Sequence, residues 1–279
     1  MARNPQLSLL IPFRAPKDSP HRARLWSWLQ QYWKYELPDA EVVVSDSTST
    51  IFSKTEAINK AFRKSSGRIV CILDADAYMD GEILLNAARN IENFTKRGFP
   101  LWYVPYRRLY RMTQLTTERI LSSSPKVPTR IVAPPNPVDV EHVGTAAYGH
   151  HYGAMCQLMH REAFTLIGGM DPRFQGWGSE DVCFVRALNT LYAPYKTVDA
   201  SIWHMWHPTQ RSGTARLWEN QKDPWGQASL NKRYANAVGN PAAMKKIVDE
   251  SRELNKTKCE KLQELAIDSL NKSWDIIVK

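Results

Sequence analysis

Short apolar runs and amphipathic stretches take turns along the first hundred residues. Leu7 to Ile11 is apolar until Pro12 ends it, which predicts a buried first strand. From about Pro20 to Tyr35 the spacing becomes helical, with Leu25, Trp28, Leu29 and Tyr32 on one face. Glu41 to Ser45 predicts a second strand, and Lys54 to Lys64 a helix that turns Ala57, Ile58, Ala61 and Phe62 inward. Gly67 closes that helix and Arg68 to Leu73 reads as a third strand. A helix from Asp80 to Lys96 ends at Gly98, and Leu101 to Val104 is a fourth strand. This alternation with short connections predicts an α/β sheet covered on both faces, Rossmann-like in layout. No Gly-x-Gly-x-x-Gly follows the first strand, which argues against a dinucleotide redox enzyme.

The pattern breaks at residues 106–150, a basic, proline-rich stretch expected to be a long loop. Order resumes with a strand over 154–159 and a helix from His160 to Ile167 that Gly168-Gly169 stops. A further helix starts near Ser179, and Tyr195 to Trp203 is extended. Beyond Pro208 the chain is polar, then helical from Pro241, where Asn240-Pro241 forms a cap. Met244, Ile247, Val248, Leu254 and Leu262 give that helix an apolar side, expected to pack on the parent domain or to join a homo-oligomer. The expected division is therefore a domain over 1–208, with 106–150 as its basic loop, and a helical C-terminal extension over 209–279.

Composition adds limits. The 279 residues are 43% hydrophobic and 23% charged, enough for one large α/β domain with a real core. The net charge of +9 suits phosphate-bearing ligands, nucleic acid or an anionic surface. It gathers in the middle stretch and the last seventy residues rather than in one stripe, so most of it reads as solvated surface. Cys71, Cys156, Cys183 and Cys259 are scattered without a Cys-x-x-Cys pair, as for free thiols in a reducing compartment. No apolar run reaches the ~18 residues of a membrane span, and a cytoplasmic location is the expectation.

Four groups of residues carry candidate chemistry. Asp74 and Asp76 follow the third strand, at the sheet edge where open α/β folds bind ligands. Alternation points both carboxylates the same way, and two carboxylates at one point call for a hard cation such as Mg2+ or Mn2+. His204 and His207 come after the last extended segment, and imidazole beside carboxylate shifts the preference toward Mn2+. Gly176-Trp177-Gly178 forms a hinged loop with a flat side chain suited to stacking on a sugar. Glu180 and Asp181 behind it open a helix, either as dipole partners or as a general base. Arg14, with Pro12 and Phe13 at the end of the first strand, is placed to meet a diphosphate.

In this order the groups resemble the GT-A glycosyltransferases, and most closely the β-1,4-galactosyltransferase group with its polypeptide N-acetylgalactosaminyltransferase relatives. The shared pieces run from Ile11-Pro12-Phe13-Arg14 through Ile51-Phe52-Ser53-Lys54 and Leu73-Asp74-Ala75-Asp76 to Gly176-Trp177-Gly178-Ser179-Glu180-Asp181 and His204-Met205-Trp206-His207. The resemblance implies a GT-A mixed sheet and transfer of a sugar from a nucleotide-diphosphate donor, a UDP-sugar first, to an acceptor hydroxyl on a glycan, protein or small molecule. It implies Asp76 and His207 as metal ligands, with His204 where the galactosyltransferases have a Met. It places Asp74 near the ribose, Pro12, Phe13, Arg14, Asp46 and Lys54 around the nucleotide, and Trp177 and Gly178 on a closing loop. Asp181 would be the base of an inverting reaction and Glu180 an acceptor contact. The galactosyltransferases carry Gly where Ser179 stands and a longer acidic run after it. Competing readings are a retaining transferase on the same scaffold, a nucleotidyltransferase, and a non-catalytic sugar- or nucleotide-binding protein. Residues 12–20 lack the Gly-rich loop of the nucleotidyltransferases.

Overall fold

A computed structural model describes residues 6–14, 20–145, 155–176, 178–208 and 227–257. Strands β1 (Leu7–Pro12), β2 (Glu41–Ser45) and β3 (Ile69–Leu73) run parallel with β1 in the middle, each within one residue of the span its apolar pattern predicts. Every residue of β1 and β3 is buried, as central strands covered on both faces require. Helices α1 (Pro20–Glu36) and α2 (Lys54–Lys64) join them. The Ser53 side chain caps α2 by accepting from the Glu56 N–H, and Asp80 caps α3 (Gly81–Lys96) through the Glu82 N–H. Trp28 stacks on Tyr32, which also meets Tyr78 and Trp33 edge-on, so aromatic side chains fill much of the core under α1.

After β4 (Ala77–Tyr78) and β5 (Trp102–Val104), the sheet departs from a simple parallel run. Strand β8 (Cys156–His160) inserts antiparallel between β3 and β5, and with β9 (Lys196–Thr197) at the edge the order is β2-β1-β3-β8-β5-β9. The result is the expected mixed α/β sheet with flanking helices. Cys71, Cys156 and Cys183 are buried and free, and the sulfurs of Cys71 and Cys156 lie 3.6 Å apart.

The stretch expected as a long loop over 106–150 is largely ordered. It contains β6 (Arg108–Met112), α4 (Gln114–Leu121), a 3-10 turn (Pro137–Asp139) and β7 (Val140–Thr145). These elements build a second sheet of order β4-β10-β6-β7, in which β6 pairs parallel with β10 (Ser201–His204) and antiparallel with β7. Dense arginine and proline hid the strand. Leu109, Tyr110 and Met112 are buried while Arg108 and Arg111 are half-buried, a pattern that forms only against a partner strand. The segment expected as one extended run, Tyr195 to Trp203, is two strands: β9 (Lys196–Thr197) closes the first sheet and β10 lies inside the second.

Following α5 (Arg161–Leu166) and α6 (Glu180–Leu191), a helix that the pattern did not predict, α7 (Gln227–Ala237), packs on α6. The predicted helix α8 spans 241–257. Met244, Ile247 and Val248 of α8 are buried against its own domain, while Leu254 on the same side is exposed. Asp171 anchors this region, taking the Arg173 guanidinium at 2.7 Å and the Tyr234 hydroxyl at 2.9 Å. Arg173 and Arg233 then share Glu250. Residues 258–279, with Cys259 and Leu262, lie outside the described residues.

Candidate functional site

Two neighbouring strands bring the metal-type side chains together. At the end of β3 the chain turns through residues 74–76, with the Asp74 N–H donating to Met155 O and the Ala77 N–H to Asp74 O. Strand β4 then pairs antiparallel with β10, setting Ala77 opposite His204, and the Met205 N–H donates to Asp76 O. Asp76 and His204 therefore become neighbours through pairing rather than through sequence. The chain leaves β10 in a turn that brings His207 back: its Nε2 is 3.2 Å from Asp76 Oδ2, and His204 Nε2 is 3.7 Å from Asp76 Oδ1.

One ligand atom from each of Asp76, His204 and His207 lies within 4.8 Å of the others. Cis ligands on an octahedral ion with ~2.1 Å bonds sit about 3 Å apart, so the Asp76–His207 pair already has nearly that separation. Burial pushes the His204 imidazole down to about 4, with Asp76 opposing, so at neutral pH its ring is uncharged and offers a lone pair. Burial alone would raise Asp76, but His204, His207 and Arg22 outweigh it and hold the carboxyl below its usual range. A carboxylate with two imidazoles fits Mn2+ or another transition ion better than Mg2+.

Asp74 does not share this point, contrary to the expectation that both carboxylates of the triplet aim at one cation. It pairs with Lys54 Nζ at 2.7 Å, and the same ammonium is 2.9 Å from Asp181 Oδ2. Burial opposes the charge on Lys54, but Asp181, Asp74 and Glu180 outweigh it and keep the ammonium protonated. Lys54 opens α2 and Asp181 lies in the first turn of α6; a bridge between Ser53 and Gly176 holds those two helix starts side by side.

The other Asp181 oxygen, Oδ1, is buried and has no hydrogen-bond partner among the described residues. Burial pushes the Asp181 carboxyl up to about 7; Lys54 pulls it down, while Glu180 and Asp74 push it further up. Glu180 is buried and accepts from the Gly178 N–H at 3.0 Å. Ser179 has φ of 69°, the left-handed region that glycine tolerates best. Trp177 lies outside the described residues.

Arg14 is engaged by the loop that follows β2. Its Nε donates to both Asp46 oxygens, Nη1 to Thr50 O, and Nη2 to Ser47 O and Ser49 O. The guanidinium is thus committed to shaping the 46–50 loop, and Asp46 is its partner rather than a free contact. Pro12 closes β1, and Phe13 packs against Trp26 with ring centroids 5.9 Å apart. Arg22 was missed: it lies in the first turn of α1, where no spacing marks it, yet its Nη2 is 3.3 Å from His207 Nε2. Arg111 was counted only as surface charge. With Glu141 and Trp206 it lines an open cleft of about 410 Å3 that His204 and His207 share.

No protein-family model matches the chain. Human chondroitin sulfate N-acetylgalactosaminyltransferase 2 is 26% identical over 135 residues, 48% of this chain and 22% of that protein. The chain is similar to glycosyltransferases. Among solved structures, the catalytic domain of Drosophila β1,4-galactosyltransferase 7 with xylobiose has 15% identity and a TM-score of 0.43, over 74% of this chain and 73% of that one. GalNAc-T7 with UDP, GalNAc and Mn2+ has 13% identity and a TM-score of 0.44, over 96% of this chain and 58% of that one. Among the described residues, no helix is long and apolar enough to cross a membrane.

Proposed function

We propose that the chain is a metal-dependent glycosyltransferase that moves a sugar from a nucleotide-diphosphate donor, UDP-sugars first, to an acceptor hydroxyl with inversion. The observation that carries this reading is the pairing of two adjoining devices. One is the cluster of Asp76, His204 and His207. The other is a buried carboxylate, Asp181, with one oxygen held by Lys54 and the other unpartnered. A divalent cation at the first would neutralise charge on the departing diphosphate. At the second, Lys54 orients Asp181 so that Oδ1 accepts the proton of the attacking hydroxyl, and a pKa near 7 suits a base at neutral pH.

The remaining roles follow as proposals. Asp74, tied to Lys54, supports the ribose side, and Arg14 with Asp46 shapes the nucleotide pocket indirectly through the 46–50 loop. Pro12 and Phe13 line that pocket, while Trp177 and Gly178 belong to a closing loop in which Glu180 fastens the Gly178 backbone. Residues 1–208 form the transferase domain and 209–279 its helical extension. Buried free thiols at Cys71, Cys156 and Cys183 support a reducing, cytoplasmic setting.

The test is to incubate the full chain with UDP-galactose, UDP-glucose, UDP-GalNAc and a GDP sugar, each with Mn2+, Mg2+ or EDTA, and to measure free nucleotide. The reading expects Mn2+-dependent release from one donor and its loss in Asp76→Ala. Absence of release from every donor with Mn2+, or release that survives Asp76→Ala, would overturn it.

A further inference from the structure

Two cations compete for Asp76. One is the divalent ion for which the cluster is suited; the other is part of the chain itself. Arg22 Nη2 stands 3.3 Å from His207 Nε2, 3.5 Å from His207 Nδ1 and 4.0 Å from Asp76 Oδ2. These are the ring and the carboxylate that would hold the metal. The guanidinium nitrogen lies almost equally far from both ring nitrogens, over the His207 ring, and so crowds the space beside Nε2 that a metal would need. Its positive charge also repels a divalent ion bound within a few ångströms, in a pocket where screening is weak.

The guanidinium is only partly satisfied. Its Nε is buried without a hydrogen-bond partner, and Asp76 is its sole carboxylate partner among the described residues. Arg14, by contrast, has Nε and both terminal nitrogens engaged by the 46–50 loop. Of these two arginines, Arg22 is the one with donors left for an anion. Asp76 and Arg22 cancel in charge, so a divalent ion leaves two positive charges uncompensated. The bridging diphosphate of a nucleotide sugar carries two negative ones.

We propose that Arg22 is the counter-cation of the metal-free site and that it couples metal binding to binding of the donor diphosphate, a role that rests on the metal site proposed above. Without the diphosphate, Arg22 holds Asp76 and His207 and weakens the uptake of metal. When metal and diphosphate enter together, the guanidinium turns its free donors to the phosphate oxygens, and each ligand raises the affinity of the other by the same factor. Arg22 thus takes the diphosphate contact expected for Arg14.

The test measures Mn2+ binding calorimetrically to the full chain, alone and with saturating UDP or GDP. The wild-type affinity should rise on the order of tenfold with one of the nucleotides. Arg22→Gln should bind Mn2+ alone more tightly than wild type, and the nucleotide should then add little. Arg22→Lys keeps the charge and should stay weak for Mn2+ alone, which separates loss of charge from loss of fold. Arg24→Gln, which removes a surface pair with Glu118, should behave as wild type. If Arg22→Gln binds Mn2+ alone no better than wild type and keeps the full nucleotide effect, the coupling role is wrong while the metal site stands. If wild type takes up no Mn2+ with either nucleotide, or Asp76→Ala binds it equally well, the metal site itself is wrong and Arg22 falls with it.

Discussion

Lys54 and Asp181 stand 127 residues apart in sequence and 2.9 Å apart in the fold, each in the first turn of its helix. The ammonium also takes Asp74 at 2.7 Å, so one buried cation sets the positions of two carboxylates. Its removal leaves both without their counter-charge. Lys54→Met should cost about 3 kcal/mol in chemical denaturation, the usual range for breaking a buried ion pair. A loss below roughly 1 kcal/mol, typical of exposed pairs, would show that water reaches the site freely.

Asp181→Asn should keep Mn2+ and donor binding and lose transfer by roughly two to four orders of magnitude, the contribution of a general base. Near-normal turnover in this variant would place the base elsewhere.

The pH dependence follows from the sign of the Asp181 shift. Burial raises its pKa to about 7, so the carboxyl is protonated and unable to accept a proton below that value. In the wild type, kcat/KM should fall about tenfold per pH unit below the pKa and level off above it. The folded pKa lies above the ordinary carboxyl value of 3.8, so this group's stabilising contribution is full below that value and is lost as pH rises from there to about 7. Asp181→Asn should therefore lose less stability than wild type across that window, as followed by thermal unfolding. Equal losses would mean that Asp181 is already ionised at lower pH.

Ser179 occupies a left-handed conformation, with φ of 69°, directly before α6. The strain on a side-chain-bearing residue there is about 1–2 kcal/mol, and glycine gives back about 0.5–1 kcal/mol through the entropy of its unfolded chain. Ser179→Gly should therefore stabilise the protein by roughly 0.5–1 kcal/mol. A lower melting temperature would mean that the serine side chain makes a compensating contact.

His207→Ala should remove a third of the metal's protein ligands. Mn2+ affinity, read by titration in the presence of UDP, should fall at least tenfold, the low end for disturbed metal sites. Unchanged affinity would exclude His207 from the coordination sphere.

Local pattern was enough to place β1, β2, β3 and helices α1 to α3, because a strand or helix that must bury one face leaves a period in the chain. The same signal located Asp74 and Asp76 at a sheet edge, His204 at the end of a strand, and Glu180 and Asp181 at a helix start. Which of these side chains meet was a matter of tertiary structure. The β4–β10 pairing, between residues more than a hundred positions apart, brought His204 to Asp76, and the Ser53–Gly176 bridge brought Lys54 to Asp181. The second sheet escaped notice because β6 reads Arg-Leu-Tyr-Arg-Met, without the period-2 alternation of a half-buried strand, and its partners β10 and β7 are distant in sequence. The surroundings of Arg14 and Arg22 were not legible for a similar reason: a guanidinium meets whichever oxygens or ring nitrogens the folded chain brings within reach, and sequence position does not encode that distance. Sequence thus determined the residue types and the elements that carry them, while nonlocal strand pairing decided that Asp76 would face two histidines and Asp74 a lysine.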